Sequence, residues 1–336
     1  MSILHRPEGI WGAILLPVKN DKIDWVAFEE QVDNLHRPEG IWGAILLPVK
    51  NDKIDWVAFE EQVNILCDSR VHGIYTNGTA AECHNQTEDE FDKLSNIVAS
   101  IAKKKNKQFQ LGLSHTNPRI CRERAKRLTS LNPNGFQITL PDWWPPTFQE
   151  SSNFIMGMQE VVADIYLILY NPPHAKVVLS LEEISKLNDK APNLVGIKCA
   201  GGDEAWYKNR RFLLENFSVF VPGHSVVFGK PLGANGSYSN VACFSPNGAV
   251  MIWDLIDTDF EKAKHIELRV NNFMKTHILP LATRLSNTGL DKLLACVGGW
   301  GPISEKVLWP YEGATLDEVN KIRMIAKQEL PELMND

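Results

Sequence analysis

From Ile165 to Lys198 the chain reads strand, helix, strand, and that order constrains the fold more than any other stretch. The apolar run Ile165-Tyr-Leu-Ile-Leu169 stops on Tyr170-Asn171-Pro172-Pro173, and Leu194-Val-Gly-Ile197 stops on Lys198. Between them, Ser180-Leu-Glu-Glu183 has the form of a capping box, in which serine and glutamate satisfy the free amides of a helix start. Leu181, Ile184 and Leu187 then fall on one helical face. Such a unit runs its two strands parallel, so both strand ends reach one rim. Adjacent strands lie about 4.8 Å apart, so a phenol and an amine are expected to meet at the mouth of a sheet.

The same alternation continues along the chain. Strands are expected at Ile41–Leu47, Val71–Thr76, Phe109–Leu113, Gly135–Leu140, Ile165–Tyr170, Leu194–Lys198, Ser218–Val221 and Gly236–Ser239. Helices are expected at Glu88–Lys104, Arg119–Ser130, Ser151–Ala163, Leu181–Asp189, Ala205–Asn216, Val226–Leu232 and Pro246–Ile256. Continuous apolar strands alternating with helices in this way imply an α/β fold, a closed (β/α)8 TIM barrel rather than an open sheet. The barrel is assigned to residues 36–257. Beyond Asp257 the pattern is helix only, near Asp259–Leu279, Gly289–Val297 and Leu316–Glu329, so residues 258–336 read as a C-terminal helical extension. At 336 residues, 44% hydrophobic and 23% charged, the chain can bury one large core.

Residues 1–35 stand apart, because His5–Val32 recurs without a change as His36–Val63. Repeat architectures need three or more copies, so a solenoid is not indicated. Each copy reads as one βα unit: Ile10–Leu16, a turn at Lys19-Asn-Asp-Lys22, then a helix begun at Asp24. Only copy two connects directly to the second strand, through Asn64–Arg70, so it is expected to fill the first barrel position. Copy one reads as a tandem duplication or a cloning artefact, extra to the barrel.

Several classes are excluded. A net charge of −6 gives no overall basic character to recruit nucleic acid or an acidic membrane. The one basic cluster, Lys103-Lys-Lys-Asn-Lys107, closes a helical pattern and reads as a solvated helix end. No apolar run is long enough to span a bilayer. The six cysteines form no C-x-x-C pair, so free thiols in a reducing cytoplasm are expected. Cys199 adjoins Lys198, but strand alternation is expected to turn it away and bury it. The nine histidines show no metal-ligand spacing, and no dinucleotide fingerprint or P-loop is present, so neither metal nor cofactor is expected.

A lysine attacks a carbonyl only as the neutral amine, which burial in an apolar wall favours. A phenol beside it can shuttle protons to and from a bound keto group, and the pair is the equipment of a Schiff-base lyase. Taken alone, a strand-end lysine is better explained as a solvated cap whose stem lies along the core. Thr76-Asn-Gly-Thr79-Ala-Ala-Glu82, after the second strand, adds small residues whose amides can approach an anion closely, and the Thr79 hydroxyl.

Gly78-Thr79-Ala80-Ala81-Glu82, Tyr170-Asn171-Pro172-Pro173, Gly196-Ile197-Lys198 and Gly233-Ala-Asn-Gly-Ser-Tyr-Ser239 together resemble the dihydrodipicolinate synthase/N-acetylneuraminate lyase family. The resemblance runs from about Gly40 to the C-terminal helices. It implies a barrel with helices packed beside it, a homodimer or homotetramer, and a pyruvate-type 2-oxo acid held as an imine. By the same match Lys198 is the nucleophile and Tyr170 the proton-transfer residue, while Gly78, Thr79 and the amide of Ala80 would hold the keto-acid carboxylate. The partners implied are a small-molecule 2-oxo acid and an aldehyde. Ser239 and His224, on the same rim, are further substrate-binding candidates; His224 reads slightly better as a loop histidine bonded to backbone.

Two departures from the synthase branch bear on the substrate. Its tyrosine after strand four is replaced by Trp143-Trp144, and indole cannot relay a proton at neutral pH. Its arginine after the Tyr-Asn motif is replaced within Pro173-His174-Ala175-Lys176, which offers no fork-shaped cation to a carboxylate. Dihydrodipicolinate synthesis proper is therefore not the activity expected. Trp143 and Trp144 suggest a wall for a flat aromatic or the carbon face of a sugar, or else a cover for the barrel mouth or a subunit contact. Three readings stay open: an aldolase-type lyase, a dehydratase of a keto-deoxy sugar acid through the same imine, and a non-catalytic 2-oxo-acid sensor.

Overall fold

Eight parallel strands close into a barrel in a computed structural model of the chain, which describes residues 18–19, 22–23 and 37–334. The strands are β1 (Gly40–Ala44), β2 (Gly73–Thr76), β3 (Gln108–Gly112), β4 (Gly135–Ile138), β5 (Tyr166–Tyr170), β6 (Leu194–Lys198), β7 (Ser218–Val221) and β8 (Gly236–Tyr238). Each pairs with its neighbours in chain order, and β8 closes on β1 with Gly236 opposite Gly40. The TIM barrel read from the sequence is the fold.

Helices alternate with the strands: α1 (Trp56–Asp68), α2 (Glu88–Lys104), α3 (Pro118–Leu128), α4 (Phe148–Val162), α5 (Leu181–Lys190), α6 (Glu204–Leu213) and α7 (Val226–Leu232). The capping box at α5 forms as expected, with Ser180 N–H donating to Glu183 at 2.8 Å and Glu183 N–H to the Ser180 hydroxyl at 3.2 Å. After the barrel come α8 (Asn240–Phe244), α9 (Pro246–Thr258), α10 (Phe260–Phe273), α11 (Asn287–Gly298) and α12 (Leu316–Glu329).

Three local differences from the sequence reading have physical causes. The first strand ends at Ala44 rather than Leu47, because the buried Gln62 side chain takes both backbone groups of Leu46, at 2.7 and 3.0 Å. The long helix expected to reach Leu279 stops at Phe273 and continues as a π-helical turn, Met274–Ile278. Of the lysine cluster at the end of α2, Lys107 donates to the carbonyls of Ser69 and Val71 at 2.9 and 2.8 Å and so serves the end of α1. Lys105 pairs with Asp68 at 2.5 Å.

Copy two of the duplicated segment supplies β1, α1 and a short antiparallel ladder in which Val49 faces Ile54. The same residues in copy one make the same ladder, with Val18 facing Ile23. The strand expected at Ile10–Leu16 and the helix expected from Asp24 lie outside the described residues. The chain divides into two units, residues 1–38 and residues 39–336.

Candidate active site

The amine and the phenol meet. Lys198 and Tyr170 are register partners at the ends of β6 and β5, and Asn171 N–H donates to the Lys198 carbonyl at 2.9 Å. The buried Asn171 side chain then pins the following loop, donating to Val177 O and accepting from Leu179 N, both at 2.8 Å. Lys198 Nζ lies 4.1 Å from the Tyr170 ring centroid, 5.2 Å from that of Tyr75 and 5.5 Å from that of Tyr238. Those ring faces replace water around the amine.

Burial disfavours the ammonium and brings Lys198 down from 10.5 to about 8, against the carboxylate of Asp291, which favours the charged form. At pH 7 roughly a tenth of the amines are then neutral, against about one in 3,000 for an ordinary lysine. Burial also pushes the Tyr170 phenol up to about 12, and Asp291 adds to this, while a hydrogen bond with the Thr79 hydroxyl acts the other way. Tyr170 is thus held as a proton donor, with Thr79 beside it.

Gly78, Thr79 and Ala80 lie on the loop after β2, where Thr79–Ala81 makes one 3-10 turn. Its first internal bond is Ala81 N–H to Gly78 O at 3.2 Å, so the amides of Thr79 and Ala80 open the turn and can face an anion. Left-handed backbone at Asn77 (φ 56) and Glu82 (φ 53) brackets the loop. A Cβ at Gly112 of β3 would sit 2.2 Å from Asn77 O, so only glycine lets the loop come this close.

Three residues that escaped the sequence reading lie on α11 in the C-terminal extension. Lys292 reaches Glu82 at 2.5 Å, with both side chains fully buried, and Glu82 also accepts from Leu308 N at 2.9 Å. Thr288 donates its hydroxyl to Thr79 O at 2.8 Å. These contacts fasten α11 to the anion loop and make it a wall of the cleft. Its Asp291 lines the same cavity as Lys198, and burial raises the carboxyl from 3.8 to about 7, partly offset by Lys198. The signal available was a charged pair, Asp291-Lys292, set inside the otherwise apolar run Leu290–Val297.

The cleft has two lobes sharing Tyr170, Pro172 and His174. The inner lobe, about 260 Å³, holds Lys198, Tyr75, Tyr238, Cys243, His224 and Asp291. The outer lobe, about 360 Å³, holds Thr79, His84, His115, Thr139, Asp142 and Lys176. His224 does line the inner lobe, and its ring bonds to the Asn240 side chain at 2.8 Å rather than to backbone. Cys199 borders the same lobe and is only partly buried, with burial still pushing its thiol to about 11.

Three candidates are placed elsewhere. Ser239 is 1% exposed and caps α8, accepting from Ala242 N at 3.0 Å, a helix absent from the sequence reading. Trp143 and Trp144 are 79% and 80% exposed and line neither lobe; their neighbour Asp142 does. Lys176 holds Trp143 on the outside, donating to its carbonyl at 2.9 Å with Nζ 5.6 Å from its ring centroid.

Residues 37–329 match the dihydrodipicolinate synthetase family. The chain belongs to that family. It is a lyase of the class I aldolase type. N-acetylneuraminate lyase of Escherichia coli (strain SMS-3-5 / SECEC) is 24% identical over 253 residues, 71% of this chain and 82% of the relative. The 4-hydroxy-tetrahydrodipicolinate synthase of Methanococcus aeolicus is 25% identical over 290 residues, 83% and 88%. Among solved structures, YagE, a prophage protein of the dihydrodipicolinic acid synthase family from E. coli K12 in complex with pyruvate, superposes with a TM-score of 0.77. Its identity is 18%, over 88% of this chain and 99% of that one.

Proposed function

We propose that this lyase forms an imine between Lys198 and a pyruvate-type 2-oxo acid, and cleaves it from or condenses it with a sugar-derived, polyhydroxylated aldehyde. The observation that carries the reading is the Lys198–Tyr170 register pair, with the amine brought down to about 8 by burial among phenol rings. Thr79 and the Ala80 amide are suited to the keto-acid carboxylate, and the pyruvate complex of YagE is consistent with that choice of donor.

The outer lobe argues for the acceptor class. Its Ser114, Thr116, Thr139, His84, His115 and Asp142 offer hydrogen bonds suited to several hydroxyl groups. Lys176 is its cation, a point charge without the two-pronged grip on carboxylate that arginine gives. With the tryptophans turned outward, the case for a sugar-like acceptor rests on these polar groups. Their exposure also supports a subunit contact on that rim, in a homodimer or homotetramer, and the six free thiols suit a cytoplasmic enzyme.

A panel of aldehydes with pyruvate, and of keto-deoxy sugar acids alone, tests this. Reversible carbon–carbon cleavage of a hydroxylated substrate, with aspartate semialdehyde a poor partner, is expected. Water loss without carbon–carbon cleavage would move the assignment to a dehydratase, and efficient condensation with aspartate semialdehyde would overturn the acceptor class.

A further inference from the structure

We propose that Asp291 is a second acid–base catalytic residue, exchanging protons with the Lys198 nitrogen and with the departing hydroxyl while the imine forms. The role rests on the lyase reading above. Its basis is placement. Asp291 faces into the inner lobe from α11, whose position is fixed by the buried Lys292–Glu82 pair one residue on and by the Thr288 bond to the anion loop. Among the described residues its carboxylate accepts one hydrogen bond, a long contact from Asn287 Nδ2 at 3.3 Å, a helical turn earlier on the same face. No ion pair among the described residues joins it to Lys198, so the two groups face each other across cavity space.

A carboxyl on the wall of a narrow cavity is costly to keep charged, and a site that sets one in the same cavity as an amine is a candidate for proton exchange. The titratable groups facing Asp291 are Lys198 on β6, Tyr170 on β5, Tyr75 on β2 and Cys243 on α8. Tyr238 on β8 and His224 after β7 complete the lining. Tyr75, Tyr238 and Cys243 are all pushed well above their ordinary values by burial and stay protonated near neutrality. Asp291, at about 7, and Lys198, at about 8, are therefore matched for transfer near neutral pH.

The step balances. The neutral amine attacks C2 of the 2-oxo acid. The carbonyl π pair moves to oxygen, which takes the Tyr170 proton, and the nitrogen loses a proton to the Asp291 carboxylate. Asp291 then gives that proton to the hydroxyl, which leaves as water as the nitrogen pair forms the C=N bond. The Tyr170 phenolate removes a proton from the methyl carbon, leaving an enamine with both side chains restored.

The test uses two probes. Cyanate carbamylates only the neutral amine and needs no substrate, so mass spectrometry of the Lys198 peptide against pH reports that titration directly. The wild-type midpoint should lie at about 8, and in Asp291→Asn it should fall by about one pH unit, because the charge favouring the ammonium is gone. Pyruvate imine formation, trapped by borohydride, should slow about tenfold or more in Asp291→Asn at a pH where both amines are neutral, and Asp291→Glu should recover part of the rate. An unshifted midpoint, or undiminished imine formation in Asp291→Asn, overturns the role of Asp291 and leaves the lyase reading standing. A wild-type enzyme that carbamylates as described but never traps pyruvate overturns both.

Discussion

The two lobes of the cleft share Tyr170 and are built in opposite ways. The inner lobe is walled by aromatic rings, and burial moves Lys198 down and Tyr170 and Asp291 up. The outer lobe is lined by hydroxyls and imidazoles, with Asp142 and Lys176 at its edge. Low dielectric is what makes an amine nucleophilic, whereas hydrogen-bond variety is what recognises a second substrate. In the proposed function, imine chemistry belongs to the first lobe and discrimination between acceptors to the second.

Changes in the inner lobe, and at Thr79 and Tyr170 where the outer lobe meets it, should therefore abolish or slow every reaction, and changes elsewhere in the outer lobe should alter only the choice of acceptor. Lys198→Ala carries the largest effect. Turnover and borohydride trapping of pyruvate should both vanish, and a variant that still traps pyruvate would move the nucleophile elsewhere. Lys292→Met would leave Glu82 buried and unpaired, a loss of about 3–5 kcal/mol. Denaturant unfolding measures this, and a stability within about 1 kcal/mol of wild type would mean that the pair does not fasten α11 to the anion loop.

Tyr170→Phe should slow turnover by about 10²-fold with pyruvate affinity much less affected, read from kcat and from trapping at varied pyruvate. An equal fall in affinity would make the phenol a binding group. Lys176→Ala, in the outer lobe, should raise KM for the aldehyde several-fold, by about 1 kcal/mol, with pyruvate trapping unchanged. A matching effect on pyruvate would collapse the distinction between the lobes. Deleting residues 5–35 should have the smallest effect, because copy two already fills β1; loss of folding would show copy one to be structural.

The inner lobe was half legible in the sequence. Lys198 and Tyr170 end strands whose apolar runs and intervening capping box are local signals, and a parallel unit puts its strand ends together. Asp291 and Lys292 gave only the weak signal of a charged pair in an apolar run, since their importance depends on contacts made across more than two hundred residues, such as Lys292 to Glu82. Ser239 misled because its neighbours form a five-residue helix too short to show periodicity. In the sequence Trp143 and Trp144 stay open between an acceptor wall and a cover or subunit contact, because a loop between prolines carries no face that sequence can orient.

A crystal structure of the protein soaked with pyruvate tests the central claim most directly. Continuous density from Lys198 Nζ to C2 of the keto acid is predicted, where the two lobes meet at Tyr170, with the carboxylate on Thr79 and the Ala80 amide and the Tyr170 phenol beside C2. Pyruvate bound without a covalent link to Lys198, or attached to another lysine, would contradict it.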